Sequence, residues 1–206
     1  MCVNFYGMKK TIFQIILIAI AAGLAYYTYA SIMEPVNFNK EKRAREKVVI
    51  QYLKDIRSAE FIYKQLNNRY TGSFDTLVHF VDSAQIPVVK MIPDPNDTTY
   101  TLTINDTVGY VRVADSLFKD QPGFDYNKIN IVPFSNGKKF TIKAGVIKKG
   151  GVKVNVFEVK TPFTNYLRGM NKQLIINLIA SIKERKKYPG LKVGSMTEPS
   201  TDGNWE

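Results

Sequence analysis

Thr11 to Met33, TIFQIILIAIAAGLAYYTYASIM, is an uncharged apolar run in which Gln14 is the only strongly polar side chain. As an α-helix at about 1.5 Å per residue it reaches roughly 34 Å, slightly more than the hydrocarbon core of a bilayer. The run therefore reads as one membrane-spanning helix. Tyr26, Tyr27 and Tyr29 crowd one end, where amphipathic rings settle among headgroups, and Lys9 and Lys10 close the other. Everything beyond the span is then a tethered domain whose position the helix sets.

The N-terminus supports an uncleaved anchor. Met8-Lys9-Lys10 looks like the short basic start of a bacterial export segment, and Thr28-Tyr29-Ala30 is a weak small-x-small cleavage site before Ser31. The apolar run is long for a signal peptide, and three tyrosines make a poor cleavage region. Cys2, the only cysteine, precedes the span, so the domain forms no internal disulfide and no thiolate metal site, and its stability must come from burial.

Two signals bear on orientation. Lys40, Lys42, Arg43, Arg45, Lys47 and Lys54 outnumber Lys9 and Lys10, which by a literal positive-inside count keeps the domain in the cytoplasm. Long domains cross largely regardless of charge, however, and the front lysines adjoin the span. The second signal is the set of tripeptides beginning at Asp75, Asp82, Asp97, Asp106 and Asp115, each followed by Ser or Thr and then a small or aliphatic residue or Thr. They resemble the tripeptide used for O-glycosylation of exported proteins in one group of bacteria, with Thr76, Ser83, Thr98, Thr107 and Ser116 as the candidate acceptors. The expected placement is a single-pass inner-membrane protein with its C-terminal domain in the periplasm.

Residues 1–10 are then the cytoplasmic N-terminus, 11–33 the span, 34–48 a charged neck, 49–194 an exported α+β domain and 195–206 a flexible tail. Glu34-Pro35 is expected to interrupt or kink the helix, and KEKRAREK (40–47) to be solvated, with Glu41 and Arg45 spaced for an i, i+4 ion pair. From Val49 the pattern changes. Val49, Tyr52, Ile56, Ala59, Tyr63 and Leu66 recur at spacings of three and four, one face of an amphipathic helix, serving either as core or as an assembly face. Lys54, Asp55, Arg57, Ser58, Glu60 and Lys64 fill the remaining faces, with Glu60 and Lys64 a second i, i+4 pair. Asn67-Asn68 ends this helix, Ser73 caps the next, and Phe74, Leu77, Val78 and Val81 form its buried stripe.

IRSAEFIYKQLNNRYTGSFDTLVHFV, Ile56 to Val81, resembles the stretch of type IV pilins and type II secretion pseudopilins in which the long N-terminal helix ends in a tyrosine-containing loop. A membrane helix running into an amphipathic helix is also the layout of that family, so the resemblance spans Thr11 to about Val81. It implies a structural or assembly role through protein contacts, self-assembly included. The chain differs from the family where Gly7 is followed by Met8-Lys9-Lys10, and where Ile12 occupies the position of the family's glutamate.

Downstream, residues 86–97 carry three prolines and read as an extended connector. Tyr100 to Ile104 and Gly109 to Ala114 read as a hairpin turning at Asn105-Asp106-Thr107, and Ile129 to Phe134 as a short strand. Phe140 to Val146 and Val152 to Val156 form a clearer hairpin around Lys148-Lys149-Gly150-Gly151. Thr161-Pro162 starts a helix, Gly169 interrupts it, and Asn171 caps a segment with Ile175, Leu178, Ile179 and Ile182 inward. Lys183, Arg185, Lys186 and Lys187 complement its carbonyl end.

Chemistry is sparse. His79 between Asp75 and Asp82 invites an acid/base reading but reads better as a surface ion pair, since no nucleophile or oxyanion donor accompanies it. Asp94, Asp97, Asp120 and Asp125 match no EF-hand spacing and read as turn residues. No cofactor, metal site or enzyme activity is expected. The chain carries 29 basic against 18 acidic residues, a net +11, but lacks a nucleic-acid motif, so nucleic acid is not an expected partner. The basic stretches at 40–47 and 183–187 support an alternative role, a tethered module that binds an envelope glycan or anionic lipid.

Overall fold

The computed structural model of the chain describes residues 5–93, 103–119, 121 and 123–206. Its architecture is α+β, a long N-terminal helix with small antiparallel sheets and short helices gathered on its C-terminal half. Helix α1, Phe5–Asn67, runs unbroken for 63 residues, about 95 Å at the helical rise. It passes through Pro35 without a break, so that of the expected interruption or kink the interruption does not occur. Proline removes one backbone hydrogen bond, whereas stopping here would require a second costly helix nucleus a turn later. α1 ends where Asn68 turns left-handed at φ 55° and donates its N–H to the Lys64 carbonyl at 2.8 Å.

The domain core begins earlier on α1 than the sequence suggests. Phe38 already belongs to it, and the segment 40–47 is bound to the domain. Arg45 donates to the Tyr166 and Arg168 carbonyls at 3.1 and 2.8 Å and lies over the Phe134 ring at 5.3 Å. Glu41 pairs with Arg45 as the spacing requires, while Lys42 pairs with Glu46 at 3.0 Å. An arginine with five donors reaches orphan carbonyls across the fold, which is why this highly charged stretch is no free neck.

Helix α2, Phe74–Ser83, packs Phe74, Leu77 and Val81 on α1, capped by Ser73. Strand β1, Gln85–Pro93, and β2, Thr103–Arg112, form a two-stranded antiparallel hairpin. β1 occupies the stretch expected to be a connector, and Asn105 to Thr107 lie within β2 instead of turning. Every strand of a two-stranded sheet is an edge, so Pro87 and Pro93 forfeit no ladder bond to a second neighbour. Helix α3, Val113–Phe118, follows and buries Val113, Ala114 and Phe118; then comes a 3-10 turn at Tyr126–Lys128. The strand expected at 129–134 is only a bridge between Ile131 and Lys139. Phe134, Asn136 and Gly137 all have positive φ, which curls this stretch back too tightly for a ladder.

The main sheet has order β3-β4-β5: β3 is Thr141–Lys149, β4 Val152–Pro162 and β5 Gly190–Gly194, all antiparallel. Gly150-Gly151 turns the first pair with positive φ at both positions, as two-residue hairpins need. Between β4 and β5 lie helix α4, Phe163–Tyr166, and helix α5, Lys172–Glu184, whose N-cap Asn171 accepts from the Gln173 and Leu174 amides. Its stripe Ile175, Leu178, Ile179 and Ile182 is half-buried against the core.

Residues 195–206, expected to be a flexible tail, return along β5. Gly194 donates to Asp202 and Asn204 to the Lys192 carbonyl, both at 3.0 Å, and Arg57 of α1 pairs with Glu206 at 3.0 Å. An uncovered β5 would expose a row of unpaired backbone groups, and the returning chain satisfies part of that row.

Candidate functional site

Four of the six residues expected to form a core or an assembly face are consumed by the domain itself. Val49, Ile56 and Ala59 are fully buried and Tyr63 nearly so. Tyr52 is half-buried and meets Phe124 edge-on at 5.3 Å, and Leu66, 44% exposed, lies outside the core. The stripe is therefore core, and at most Leu66 and the outer edge of Tyr52 remain for a partner. Leu53, fully buried, belongs to the same face and was hidden in sequence among Tyr52, Lys54 and Asp55.

Two carboxylates expected to face water are buried. Glu60 is fully enclosed; its Oε2 accepts from the Thr71 amide at 3.0 Å, and Oε1 has no partner among the described residues. Burial lifts its pKa to about 8, against which the Thr71 hydrogen bond acts only partly. Asp55 accepts at Oδ1 from Gln51 and Gln121, and burial raises its pKa as well. The expected Glu60–Lys64 pair does not form, for Lys64 lies over the Tyr70 ring at 4.9 Å. A helix 3.6 residues per turn sweeps both carboxylates under the loop and helices that cover α1, a closure invisible to local periodicity.

His79 is exposed, with its Nδ1 3.3 Å from Ser83 Oγ. Asp82 accepts instead from the Tyr126 hydroxyl at 2.7 Å, so the expected His79 ion pair gives way to separate contacts. Asp125 pairs with Lys128 at 2.9 Å and caps the 3-10 turn, while Asp94, Asp97 and Asp120 lie outside the described residues. Thr76, Ser83, Thr107 and Ser116 are exposed, and Thr98 lies outside the described residues. Among the described residues no three or more His, Cys, Asp or Glu side chains gather as a metal site.

The site that the tertiary fold does build is a cleft of about 590 Å³ between α1, the end of α5, β5 and the returning C-terminus. Arg185, Lys186, Lys187 and Lys192 line it together with Tyr188 and Trp205 over an apolar base that includes Ile50 and Leu191. Of the two basic stretches of the sequence, 183–187 supplies Arg185, Lys186 and Lys187, whereas 40–47 contributes only the acidic Glu46 to the wall. Glu46 is already engaged, pairing with Lys42 and accepting from the Tyr166 hydroxyl at 3.2 Å. Burial and then Glu46 raise the Tyr166 pKa, keeping that hydroxyl a donor. Tyr188 is pushed up to about 12 by burial and by Glu158, and its ring carries Lys160 at 5.6 Å.

Local geometry fixes these groups. α5 closes with Lys186 left-handed at φ 56°, its amide on the Lys183 carbonyl and the Lys187 amide on Ile182. Arg185 Nε donates to Ser181 at 3.1 Å, leaving the far side of the guanidinium open. Gly190 lets β5 start against β4, since a Cβ there would stand 2.2 Å from the Thr161 carbonyl oxygen. No family model, curated protein or solved structure matches this chain. Sequence could flag the charges at 183–187, but not that Lys192 and Trp205 would face them.

Proposed function

We propose that the chain is a bitopic, pseudopilin-like envelope protein whose domain lies in the periplasm and does structural or assembly work through protein contacts. The observation that carries this reading is one continuous helix with two kinds of surroundings. Its first part is long and apolar enough to cross a membrane and is unburied, while its second part supplies the core of an α+β domain. Water would oppose a bare helix such as the first part, whereas a bilayer solvates it. Contacts would be made by exposed faces, because the stripe from Val49 to Tyr63 is used within the domain. The exposed hydroxyls at Thr76, Ser83, Thr107 and Ser116 are accessible to modifying enzymes after export.

A chain with Cys2→Ser and Lys148→Cys tests the topology, because Lys148 is exposed near the β3–β4 turn. Labelling in intact cells by a thiol reagent that crosses only the outer membrane is the expected outcome. Labelling only after the inner membrane is broken would overturn it. Crosslinking in the same cells should give membrane-associated products larger than the monomer. A second reading, a tethered module for an envelope glycan or anionic lipid, is favoured by the basic cleft.

A further inference from the structure

We propose that the cleft between α5, β5 and the C-terminus binds a phosphate ester, with Arg185, Lys187 and Lys192 holding the phosphate and Trp205 bounding the organic part. This takes up the second reading above, naming its ligand class, and does not depend on the assembly role.

The charge balance points to an anion of more than one unit. Arg185, Lys186, Lys187 and Lys192 face the cleft, and among the described residues the first three have no acidic partner. Lys192 has only a long contact of 3.9 Å to Glu158, a carboxylate that also binds Lys160 at 2.6 Å. Glu46, the one carboxylate in the wall, is neutralised by Lys42. Complementing a helix dipole accounts for cations at the C-terminal end of α5, but not for Lys192, which belongs to another element. Unpaired cations converging in a concavity focus the field there and favour an anion. A phosphate monoester carries about −1.5 to −2 charges at neutral pH, and arginine matches its oxygens with paired donors.

Size and lining point to more than a bare phosphate. The cleft falls within the roughly 300–1,000 Å³ of small-molecule sites, far beyond one inorganic ion. Ile50, Phe163, Ile182 and Leu191 make one side apolar, and the Trp205 indole completes it. The indole is seated by Gly203, where a Cβ would stand 2.3 Å from the ring, and its buried N–H lacks a partner among the described residues. The phosphate could come from a soluble ester or from a lipid headgroup. Glu46 lies about 20 Å along α1 from the end of the apolar run, so a headgroup reaches the cleft only if the domain leans to the membrane.

Trp205 is the chain's only tryptophan, so its emission reports on this cleft without labelling. The full chain in non-ionic micelles is titrated with glucose 6-phosphate, inorganic phosphate and neutral chitotriose, in parallel with calorimetry. The same chain is then placed in phosphatidylcholine nanodiscs with and without phosphatidic acid. Saturable binding of glucose 6-phosphate, tighter than that of inorganic phosphate and weakened at least tenfold in Arg185→Ala/Lys187→Ala and separately in Lys192→Gln, supports a soluble ester. A response confined to phosphatidic acid, with the same loss in the variants, supports a headgroup as the source. Unchanged circular dichroism in the variants separates lost binding from lost folding. No saturable response by either measurement, or equal binding by the variants, overturns the proposal. A response to neutral chitotriose alone also overturns it, while leaving the binding-module reading intact.

Discussion

The two halves of α1 differ in what surrounds them, not in backbone. From Thr11 to Val36 apolar side chains stand open, Ile18 at 69% exposed among them, whereas from Phe38 to Tyr63 the inward face is closed by α2, α3 and the main sheet. The outer half has no carboxylate before Glu34, while the inner half buries Asp55 and Glu60. One helix therefore carries two solvation designs. A uniform apolar surface suits a lipid solvent, and a patterned surface with a few costly polar groups suits a packed core.

The largest expected effect separates the halves directly. Leu53→Ala should destabilise the domain by about 2–5 kcal/mol, because it removes a fully buried side chain and leaves a cavity. Leu17→Ala, on the open half, should leave the domain's denaturant midpoint in micelles almost unchanged. Equal shifts would erase the distinction.

Glu60 sharpens it next. Its carboxyl is neutral in the folded domain up to a pKa of about 8, whereas the unfolded chain ionises near the ordinary 4.5. Across that window the native state holds a proton that the unfolded state releases, so stability is fullest below the ordinary value and falls as pH rises through about 8. Asp55 acts in the same direction. Glu60→Gln should flatten much of this slope and gain on the order of a few kcal/mol at pH 9 relative to the parent, read as unfolding midpoints at pH 5 and 9. A parent equally stable at both would contradict the burial argument.

Ile18→Arg probes the outer half. An arginine at the centre of a span costs about 2.5–3.5 kcal/mol of insertion, so the membrane-bound fraction should drop while the domain's melting temperature stays put. The smallest effect is expected at the far end of the inner half. Arg57→Ala removes the partly exposed contact to Glu206 and should cost at most about 1 kcal/mol, while making residues 195–206 more readily clipped by protease.

Sequence by itself determined whatever depends on neighbours along one element. The apolar run, the stripe through Val49, Ile56 and Ala59, the Ser73 and Asn171 caps and the Gly150-Gly151 turn are all local periodicity or turn chemistry, and each appears in the fold. Only the tertiary structure decided that the Pro-containing 85–93 stretch is a strand paired with 103–112, that Asp55 and Glu60 lie inside, and that the tail binds β5. The basic cleft belongs to the same class, joining Glu46, Arg185 to Lys187, Lys192 and Trp205 across more than half the chain. The physical reason is that burial, strand pairing and electric field are set by groups distant in sequence, and no local pattern specifies which distant surface will close over a residue.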